Sequence, residues 1–299
     1  MEFTSQAVIV IPVYKVEVAP RERLSLSRCQ EVLGRYPIVF VGPRSLDFSP
    51  YLALCPEATV TTFDDRYFSS LESYSALLVT PLFYEAFLKY EYLLIYQPDA
   101  WVFEDRLAYW CGRGYDYIGA PFLGDDGRWC GVGNGGFSLR RVAACIQALT
   151  SVHREDPELY WAFMRRHVSS RLSRALRYHR KVLKQFGFGT EVRHFLRKSV
   201  KGGDPEDLFW AYHAVRYSPT FRVAPVEESH FFSVEAGLEQ LSELYAEHPP
   251  FGCHRDWFLE MLERYLNSPE AAKSDYEALV WRLAELSGMP RCAAGSSQV

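Results

Sequence analysis

The chain has 299 residues, a formal net charge of −4, and 48% hydrophobic and 23% charged residues. This composition excludes a collagen, a coiled coil or a disordered chain as a description of the whole protein, and it is sufficient for a large hydrophobic core. The acidic balance and the lack of a recognised nucleic-acid motif argue against nucleic-acid binding.

Short apolar runs alternate with helical patterns in the first half of the chain, as in strands that are buried on both faces of a parallel sheet. Predicted strands cover residues 8–13, 36–42, 92–96 and 115–119, and predicted helices cover residues 21–33, 73–89 and the surroundings of Trp110. Later in the chain we expect a helix from Pro205, a strand near residues 221–226, and three helical patterns ending by Gly288. The order of elements predicts an α/β fold with a mostly parallel, Rossmann-type sheet, in which ligands collect at the carboxyl ends of the strands.

The seven cysteines are odd in number and form no CxxC pair, which favours a reduced cytoplasmic setting. The apolar run at residues 8–13 is far shorter than the roughly 20 residues needed to cross a bilayer. We therefore expect neither a signal peptide nor a membrane span. Residues 1–290 are predicted to form a single domain, and residues 291–299 a flexible tail.

Charge is segregated along the chain. Residues 165–201 carry 12 Lys and Arg but a single acid, Glu191, within a predicted basic helical insertion at about 155–201. One interpretation is a solvated helix whose apolar stripe packs on the core. The other is a surface for anionic lipid heads or a phosphate-bearing acceptor, which would place the protein at the inner face of the membrane.

A strand that ends in Gln97-Pro98-Asp99 is the strongest local signal for a site. A carboxylate at the end of a parallel strand faces the ligand crevice, and an oxygen donor suits Mg²⁺ or Mn²⁺ on a diphosphate. The competing interpretation is that Asp99 only forms a turn or caps a helix.

Four glycines lie within the six residues of the sequence GVGNGG at 131–136, followed by the apolar sequence FSL. Glycines allow a backbone to approach a ligand closely, so we predict a binding loop followed by a strand, although a plain hairpin loop fits the same pattern. The dinucleotide fingerprint does not apply, because a strand rather than a helix follows the glycines.

Two further segments carry groups able to do chemistry. Glu206 and Asp207 stand at the start of the predicted helix, where they either complement its positive end or present a general base. His254, in the loop sequence PFGCH, is either an ordinary polar residue or a metal ligand that reaches back to Asp99.

The order of six segments resembles a family of bacterial and fungal proteins of unknown function that is assigned to the GT-A-like glycosyltransferases. These segments are IPVYK, YEYLLIYQPDAWVF, GYDYIGAPF, VGNGGFSLRR, PEDLFWAYH and PFGCH. The resemblance implies a GT-A fold with a helical insertion and a helical C-terminus, and an enzyme that transfers a sugar from a nucleoside-diphosphate sugar, a UDP-sugar being favoured. The expected acceptor is a hydroxyl of a glycan, glycolipid or glycoprotein.

The same resemblance assigns roles to individual residues. Asp99 and His254 would hold Mn²⁺ or Mg²⁺ on the donor diphosphate, Asp207 would be the general base of an inverting reaction, and Glu206 would hydrogen-bond the acceptor. Gln97 stands where the wider superfamily has the first acid of an Asp-x-Asp motif. The nucleotide base and ribose would contact Pro12, Val13, Tyr14 and Lys15. The donor sugar and acceptor would be bordered by Asn134, Gly135, Gly136 and Phe137.

Two other classes compete with a transferase. A non-catalytic carbohydrate-binding protein would keep the aromatic residues without needing the acids and the histidine to converge. A sugar nucleotidylyltransferase would need a glycine-rich basic loop directly after the first strand, where this chain has Val13-Tyr14-Lys15.

Overall fold

The computed structural model describes residues 5–124, 126–155, 206–255 and 258. The basic insertion beyond Glu155, the segment 202–205 before the predicted helix, the C-terminal helical patterns and the tail lie outside the described residues. Within them, no helix is both long enough and apolar enough to span a bilayer.

A six-stranded sheet forms the centre of the fold. Its strands are β1 (Ser5–Pro12), β2 (Ile38–Pro43), β3 (Thr59–Phe63), β4 (Tyr90–Tyr96), β6 (Tyr117–Leu123) and β7 (Trp129–Arg141), in the order β3-β2-β1-β4-β7-β6. The four strands β3, β2, β1 and β4 are parallel, whereas β7 is antiparallel to both of its neighbours. The predicted mostly parallel α/β sheet is therefore confirmed.

The strands form because their apolar side chains alternate between two buried layers. In β1, Val8 and Val10 face one core cluster, while Ile9 and Ile11 face the other. A strand that is apolar on both faces is stable only when helices cover both sides of the sheet. This alternation therefore places β1 at the centre of the molecule.

Helices cover both faces of the sheet. One face carries α3 (Leu71–Leu78), α4 (Pro81–Glu85), α6 (Val142–Glu155) and a helical segment that we label α7, and the other carries α1 (Pro20–Leu33), α2 (Ser49–Leu54), α5 (Leu107–Gly112) and α8 (Val226–Phe232). Segment α7 begins as Glu206–Leu208, continues as a π-helix over Phe209–His213 and ends as Ala214–Tyr217. Short 3₁₀-helices cover Asp65–Phe68 and Leu238–Leu241, and helix α9 covers Ser242–Glu247.

A small second sheet lies beside the first. Its strands are β5 (Ala100–Val102), β8 (Ser233–Val234) and β9 (Gly252–His254), in the order β5-β9-β8. Strand β5 is antiparallel to β9, with Ala100 opposite His254. This register brings the end of the described chain back to the segment that follows β4.

Three predicted elements differ from the structure. The single helix predicted over 73–89 is wrong, because Pro81 lacks the N–H that a continuous helix needs and the chain divides into α3 and α4. The strand predicted near 221–226 is reduced to one bridge between Tyr117 and Val223, since Pro225 stands at the start of α8. The strand predicted over 115–119 is shifted to Tyr117–Leu123.

Candidate functional site

A cleft of about 530 Å³ opens at the carboxyl ends of β1 and β4. One side comes from the chain after β1 and the other from the chain after β4, as expected for a parallel sheet. The lining residues are Pro12, Tyr14, Lys15, Glu22, Phe68, Ser69, Ser70, Leu71, Tyr74, Gln97, Pro98 and Asp99. Of the six residues predicted to bind the donor, Val13 alone is not in this lining; its side chain is buried in the core.

Asp99, which lines this cleft, contacts His254. His254 Nε2 lies 3.2 Å from Asp99 Oδ1 and 3.0 Å from Gln97 Oε1. The pairing of β5 with β9 fixes this contact, because Asp99 immediately precedes Ala100, the partner of His254. The contact predicted between two residues 155 positions apart is thus present in the structure.

A carboxylate that sequence reasoning missed lies behind the imidazole. Glu235 Oε1 is 3.7 Å from His254 Nδ1 and 2.5 Å from Arg255 Nε. Arg255 has a φ of 118°, a backbone conformation that favours glycine, and its N–H donates to the Asp99 carbonyl at 3.2 Å. Strained backbone therefore turns the chain so that one residue contacts both Glu235 and Asp99.

These contacts shift the titration of the pair. Burial lowers the pKa of His254, but its hydrogen bond to Asp99 and the nearby carboxylate of Glu235 outweigh burial and raise it to about 9. Burial alone would raise the pKa of Asp99, yet the hydrogen bond and charge of His254 lower it below its usual value. Both partners are therefore held in their charged forms near neutral pH.

The glycine segment is part of β7 rather than a loop, which corrects the prediction. Gly131 and Gly133 have φ values of 154° and 153°, so the glycines extend the strand in a conformation that other residues rarely adopt. Pairing with β6 shifts register between Ile118 and Ala120, as at a β-bulge. Its last glycine, Gly136, accepts a hydrogen bond at 2.9 Å from the N–H of Gln97, which joins β7 to the cleft.

At two consecutive glycines of β7, the lack of a side chain lets a functional group lie directly against the backbone. A Cβ on Gly136 would collide with the ring of His254, and a Cβ on Gly135 would lie 2.5 Å from Glu206 Oε1. The N–H of Gly135 donates to Asp207 Oδ2 at 3.3 Å. The strand thus separates His254 from the acid pair by the thickness of a bare backbone.

The other two residues of the predicted glycine loop have structural surroundings. Asn134 Oδ1 accepts the N–H of Gly136 at 3.0 Å and so shapes the strand. The Phe137 ring is fully buried and packs edge to face against Tyr96 and Phe251.

Glu206 and Asp207 at the start of α7 are both buried, each 8% exposed. Glu206 is held by a fully buried guanidinium, with Arg140 Nη2 at 2.7 Å, and its other carboxylate oxygen accepts from Ser75 Oγ at 3.4 Å. Arg140 also donates to Tyr84 OH at 3.0 Å. Glu206 is thus engaged inside the protein, and a hydrogen bond from Glu206 to an acceptor substrate, as the resemblance implied, would compete with these bonds.

Asp207 has a different environment from its neighbour. In the described part of the chain, its oxygens accept hydrogen bonds from the backbone N–H groups of Leu208, at 2.8 Å, and of Gly135. Burial and then the negative charge of Glu206 raise the pKa of Asp207 to about 7, although these hydrogen bonds and Arg140 act in the other direction. A carboxyl group with this pKa can both accept and release a proton at physiological pH.

Asp99, His254 and Gln97 carry donor atoms that suit a hard divalent cation. Adjacent ligands of an octahedral Mg²⁺ or Mn²⁺ stand about 3 Å apart when the metal–oxygen distances are about 2.1 Å. The distances from His254 Nε2 to Asp99 Oδ1 and to Gln97 Oε1 are both close to this value. No cluster of three or more His, Cys, Asp and Glu residues suited to a metal occurs in the described part of the chain, so the Gln97 amide would serve as the third donor.

Sequence signals for the missed residues were unequal. Arg140 belongs to the glycine segment and follows its apolar stretch, so a buried role was accessible to sequence analysis. Ser69 and Ser70 form part of the cleft wall and come just before helix α3. The capping box that begins with Ser70 is a helix-start signal visible in the sequence, whereas the prediction began this helix at Ser73. Glu235 stands in no motif, and its contact with His254 depends on the pairing of β8 with β9.

Residues 57–254 match the model of a family described as "Protein of unknown function (DUF5672)". A search of the curated proteins finds no match. The family match includes Asp99, the glycine segment, Glu206, Asp207 and His254, whereas the cleft wall that follows β1 precedes the matched range.

Three solved structures with a similar fold are remote in sequence. Core-mannan synthase A from Aspergillus fumigatus in its Mn/GDP form is 12% identical with a TM-score of 0.35, over 54% of this chain and 64% of that one. The chain thus spans less than two thirds of that relative. GlyE from Streptococcus pneumoniae is 11% identical with a TM-score of 0.41 over 95% and 61% of the two chains. A glycosyltransferase for the major capsid of PBCV-1 is 9% identical with a TM-score of 0.37 over 92% and 98%.

Proposed function

The chain belongs to the DUF5672 family, and we propose that it is a glycosyltransferase that moves a sugar from a nucleoside-diphosphate sugar to an acceptor hydroxyl. One observation carries the proposal. A carboxylate with a pKa near neutrality and an Asp–His pair suited to a divalent cation lie on opposite sides of the Gly135–Gly136 backbone, and Asp99 of this pair lines an open cleft.

The separation of the two groups suits such a reaction. Asp207 Oδ2 contacts the N–H of Gly135, and the His254 ring lies against the next residue, Gly136. The covalent geometry of these two glycines therefore limits the distance from Asp207 Oδ2 to His254 Nε2 to about 12 Å. The sugar of a diphosphate held beside His254 would have to extend past the bare Gly135–Gly136 backbone toward Asp207. The reacting carbon would then be within reach of an acceptor hydroxyl next to Asp207.

The cleft offers suitable contacts for the nucleotide. Tyr14 is two-thirds exposed, 66%, and gives an aromatic face for a base. Lys15 Nζ lies 3.0 Å from Glu22, whose hydrogen bond and charge raise the pKa of Lys15. The ammonium is therefore available, as a charged group at the cleft wall, to a donor phosphate.

Asp99, His254 and the amide oxygen of Gln97 would hold Mn²⁺ or Mg²⁺. A divalent cation there supplies electrostatic stabilisation of the negative charge that develops on the departing diphosphate. His254 must present an unprotonated Nε2 for this role, whereas its pairing with Asp99 favours the charged ring. Cation binding would therefore release a proton and be stronger at higher pH.

In the reaction itself, Asp207 would act as the general base. The acceptor oxygen forms a bond to the anomeric carbon, the bond from that carbon to the diphosphate oxygen breaks, and the hydroxyl proton passes to an Asp207 oxygen. A single displacement of this kind inverts the anomeric configuration. Positioned proton transfer typically contributes about 10²- to 10⁴-fold to the rate.

Glu206 would support this step without touching the substrate. Its carboxylate is fixed by Arg140, and its negative charge raises the pKa of Asp207 toward the working range. An adjacent fixed charge is a known means of tuning a carboxyl group for proton transfer.

The test begins with ligand binding. Nucleotide sugars, UDP-sugars first, are screened for thermal stabilisation with and without Mn²⁺, since a ligand that binds only the folded state raises the melting temperature. Asp99→Ala should weaken donor binding in the presence of Mn²⁺ but leave chelated samples unchanged. If Asp99→Ala and the parent bound the donor equally well in Mn²⁺, the proposed cation site would be refuted.

Catalysis is then measured as release of nucleoside diphosphate, with and without glycan acceptors. Asp207→Asn should retain donor binding and lose at least about 100-fold in turnover. Asp47→Asn, a change of the same kind at an exposed carboxylate, serves as the matched control. Donor binding without any turnover in the parent would favour the carbohydrate-binding alternative, and parental turnover in Asp207→Asn would exclude this residue as the base.

A further inference from the structure

The carboxylate of Glu235 is placed where it can control the orientation of His254. Its side chain is only 7% exposed, and Oε1 lies 3.7 Å from Nδ1, the ring nitrogen that faces away from Asp99 and Gln97. Nδ1 is itself buried and makes no hydrogen bond with any of the described residues. The imidazole thus has Asp99 and Gln97 at one nitrogen and Glu235 near the other.

Metal binding would fix which nitrogen carries the proton. A cation on Nε2 requires a neutral ring, and the remaining proton must then reside on Nδ1. A buried N–H without an acceptor is costly, and the Glu235 oxygen is the carboxylate that faces it. A small rotation of either side chain would shorten the 3.7 Å distance to a hydrogen bond.

We propose that Glu235 is a positioning residue that accepts the Nδ1 proton of His254 and thereby presents Nε2 to the divalent cation. The inference rests on the proposed function, because it assigns a partner to the same cation site. Histidine ligands in metalloproteins commonly donate their second nitrogen to a carboxylate, which fixes the tautomer and ring orientation.

Glu235 also pairs with Arg255, on the side away from His254. Arg255 is well exposed, with 59% of its side chain accessible, and its Nε lies 2.5 Å from the same oxygen that approaches His254. An ion pair with such an exposed partner contributes little to stability. Arg255 instead holds Glu235 from the solvent side, while His254 lies on the inner side.

The experiment measures Mn²⁺ affinity directly, by electron paramagnetic resonance of free Mn²⁺ in titrations of the full chain. Glu235→Gln should weaken Mn²⁺ binding by about 10- to 100-fold, the range found when such supporting carboxylates are removed. Glu228→Gln is the matched control: this carboxylate pairs with Arg113 on the surface, and its loss should leave the affinity unchanged. Donor affinity in chelator should be the same in all three proteins.

Arg255→Gln separates positioning from simple charge. If Glu235 acted only through its negative charge, removing the positive charge of Arg255 should strengthen Mn²⁺ binding by about the factor that Glu235→Gln weakens it. That result would overturn the inference. Positioning predicts a change of less than about threefold in Arg255→Gln, since the carboxylate still faces Nδ1.

The remaining outcomes are also decisive. Parental Mn²⁺ affinity in Glu235→Gln would refute the positioning role while leaving the cation site intact. A parent protein that binds no Mn²⁺ would refute the cation site and this inference together, whereas transfer activity would still report on the proposed function. If Glu235→Gln does not fold, Glu235→Asp withdraws the carboxylate without removing its charge: weaker Mn²⁺ binding supports positioning, and unchanged binding contradicts it.

Discussion

Replacing Asp207 by Asn should make the protein more stable at alkaline pH. In the folded protein, burial and the charge of Glu206 raise the pKa of Asp207 from 3.8 to about 7. Between these values the folded state keeps a proton that the unfolded chain has lost, so the contribution of this group to stability falls as pH rises. Three pKa units correspond to on the order of 4 kcal/mol, all of it lost once pH exceeds about 7.

The assay is urea unfolding at pH 5 and pH 8, followed by tryptophan fluorescence. Asparagine cannot ionise, so Asp207→Asn does not lose stability through this group as pH rises. The free energy of unfolding of Asp207→Asn, relative to that of the parent, should therefore be roughly 3 kcal/mol higher at pH 8 than at pH 5. The amide also alters hydrogen bonds to Leu208 and Gly135, but this effect is the same at both pH values and cancels in the comparison.

Asp47→Asn provides the control for other effects of pH. This exposed carboxylate accepts hydrogen bonds from Ser49, which lower its pKa, so its titration is complete below pH 5. The stability difference between Asp47→Asn and the parent should therefore be equal at pH 5 and pH 8. If Asp207→Asn behaves in the same way, Asp207 does not have a raised pKa and the argument for a general base loses its electrostatic support.

Three further predictions concern the same region. At saturating Mn²⁺, the value of kcat/KM for sugar transfer should rise with pH and level off above about 7, as Asp207 loses its proton; a flat profile from pH 5.5 to 8 would contradict this. Gly136→Ala should displace the imidazole and weaken Mn²⁺-dependent donor binding at least about 10-fold. Gly112→Ala, whose Cβ meets no atom within 4 Å, should not. Arg140→Met should destabilise the protein by about 3 to 5 kcal/mol in urea unfolding, because it leaves the Glu206 charge buried without its partner; the double variant with Glu206→Gln should recover part of that loss.

The central sheet could be predicted from the sequence because its signal is local. The runs at residues 8–13 and 92–96 are apolar on both faces, and a strand with this pattern needs cover on two sides. The position of Asp99 follows from the same reasoning, because it comes directly after such a strand. These inferences use only neighbouring residues and a general rule about where parallel strands place their ligands.

The partners inside the site could not be predicted in this way. Glu206 and Arg140 are 66 residues apart, and no spacing rule connects them. The sequence places Glu206 and Asp207 side by side as equivalent acids at a helix start. Their environments differ because, among the described residues, Glu206 pairs with a buried guanidinium, whereas Asp207 accepts backbone N–H groups and lies beside the charge of its neighbour.

The glycines show why the site assembles at this particular strand. The sequence suggests a flexible loop, but β7 is an extended strand that runs against its parallel neighbours and continues past Tyr96, the last residue of β4. A reversed strand at that edge offers bare backbone where the parallel strands end. Any side chain at Gly135 or Gly136 would push away Glu206 or His254, so the glycines are needed for close approach from both faces rather than for flexibility. The same reasoning predicts that alanine at either position disrupts one half of the site and leaves the sheet intact.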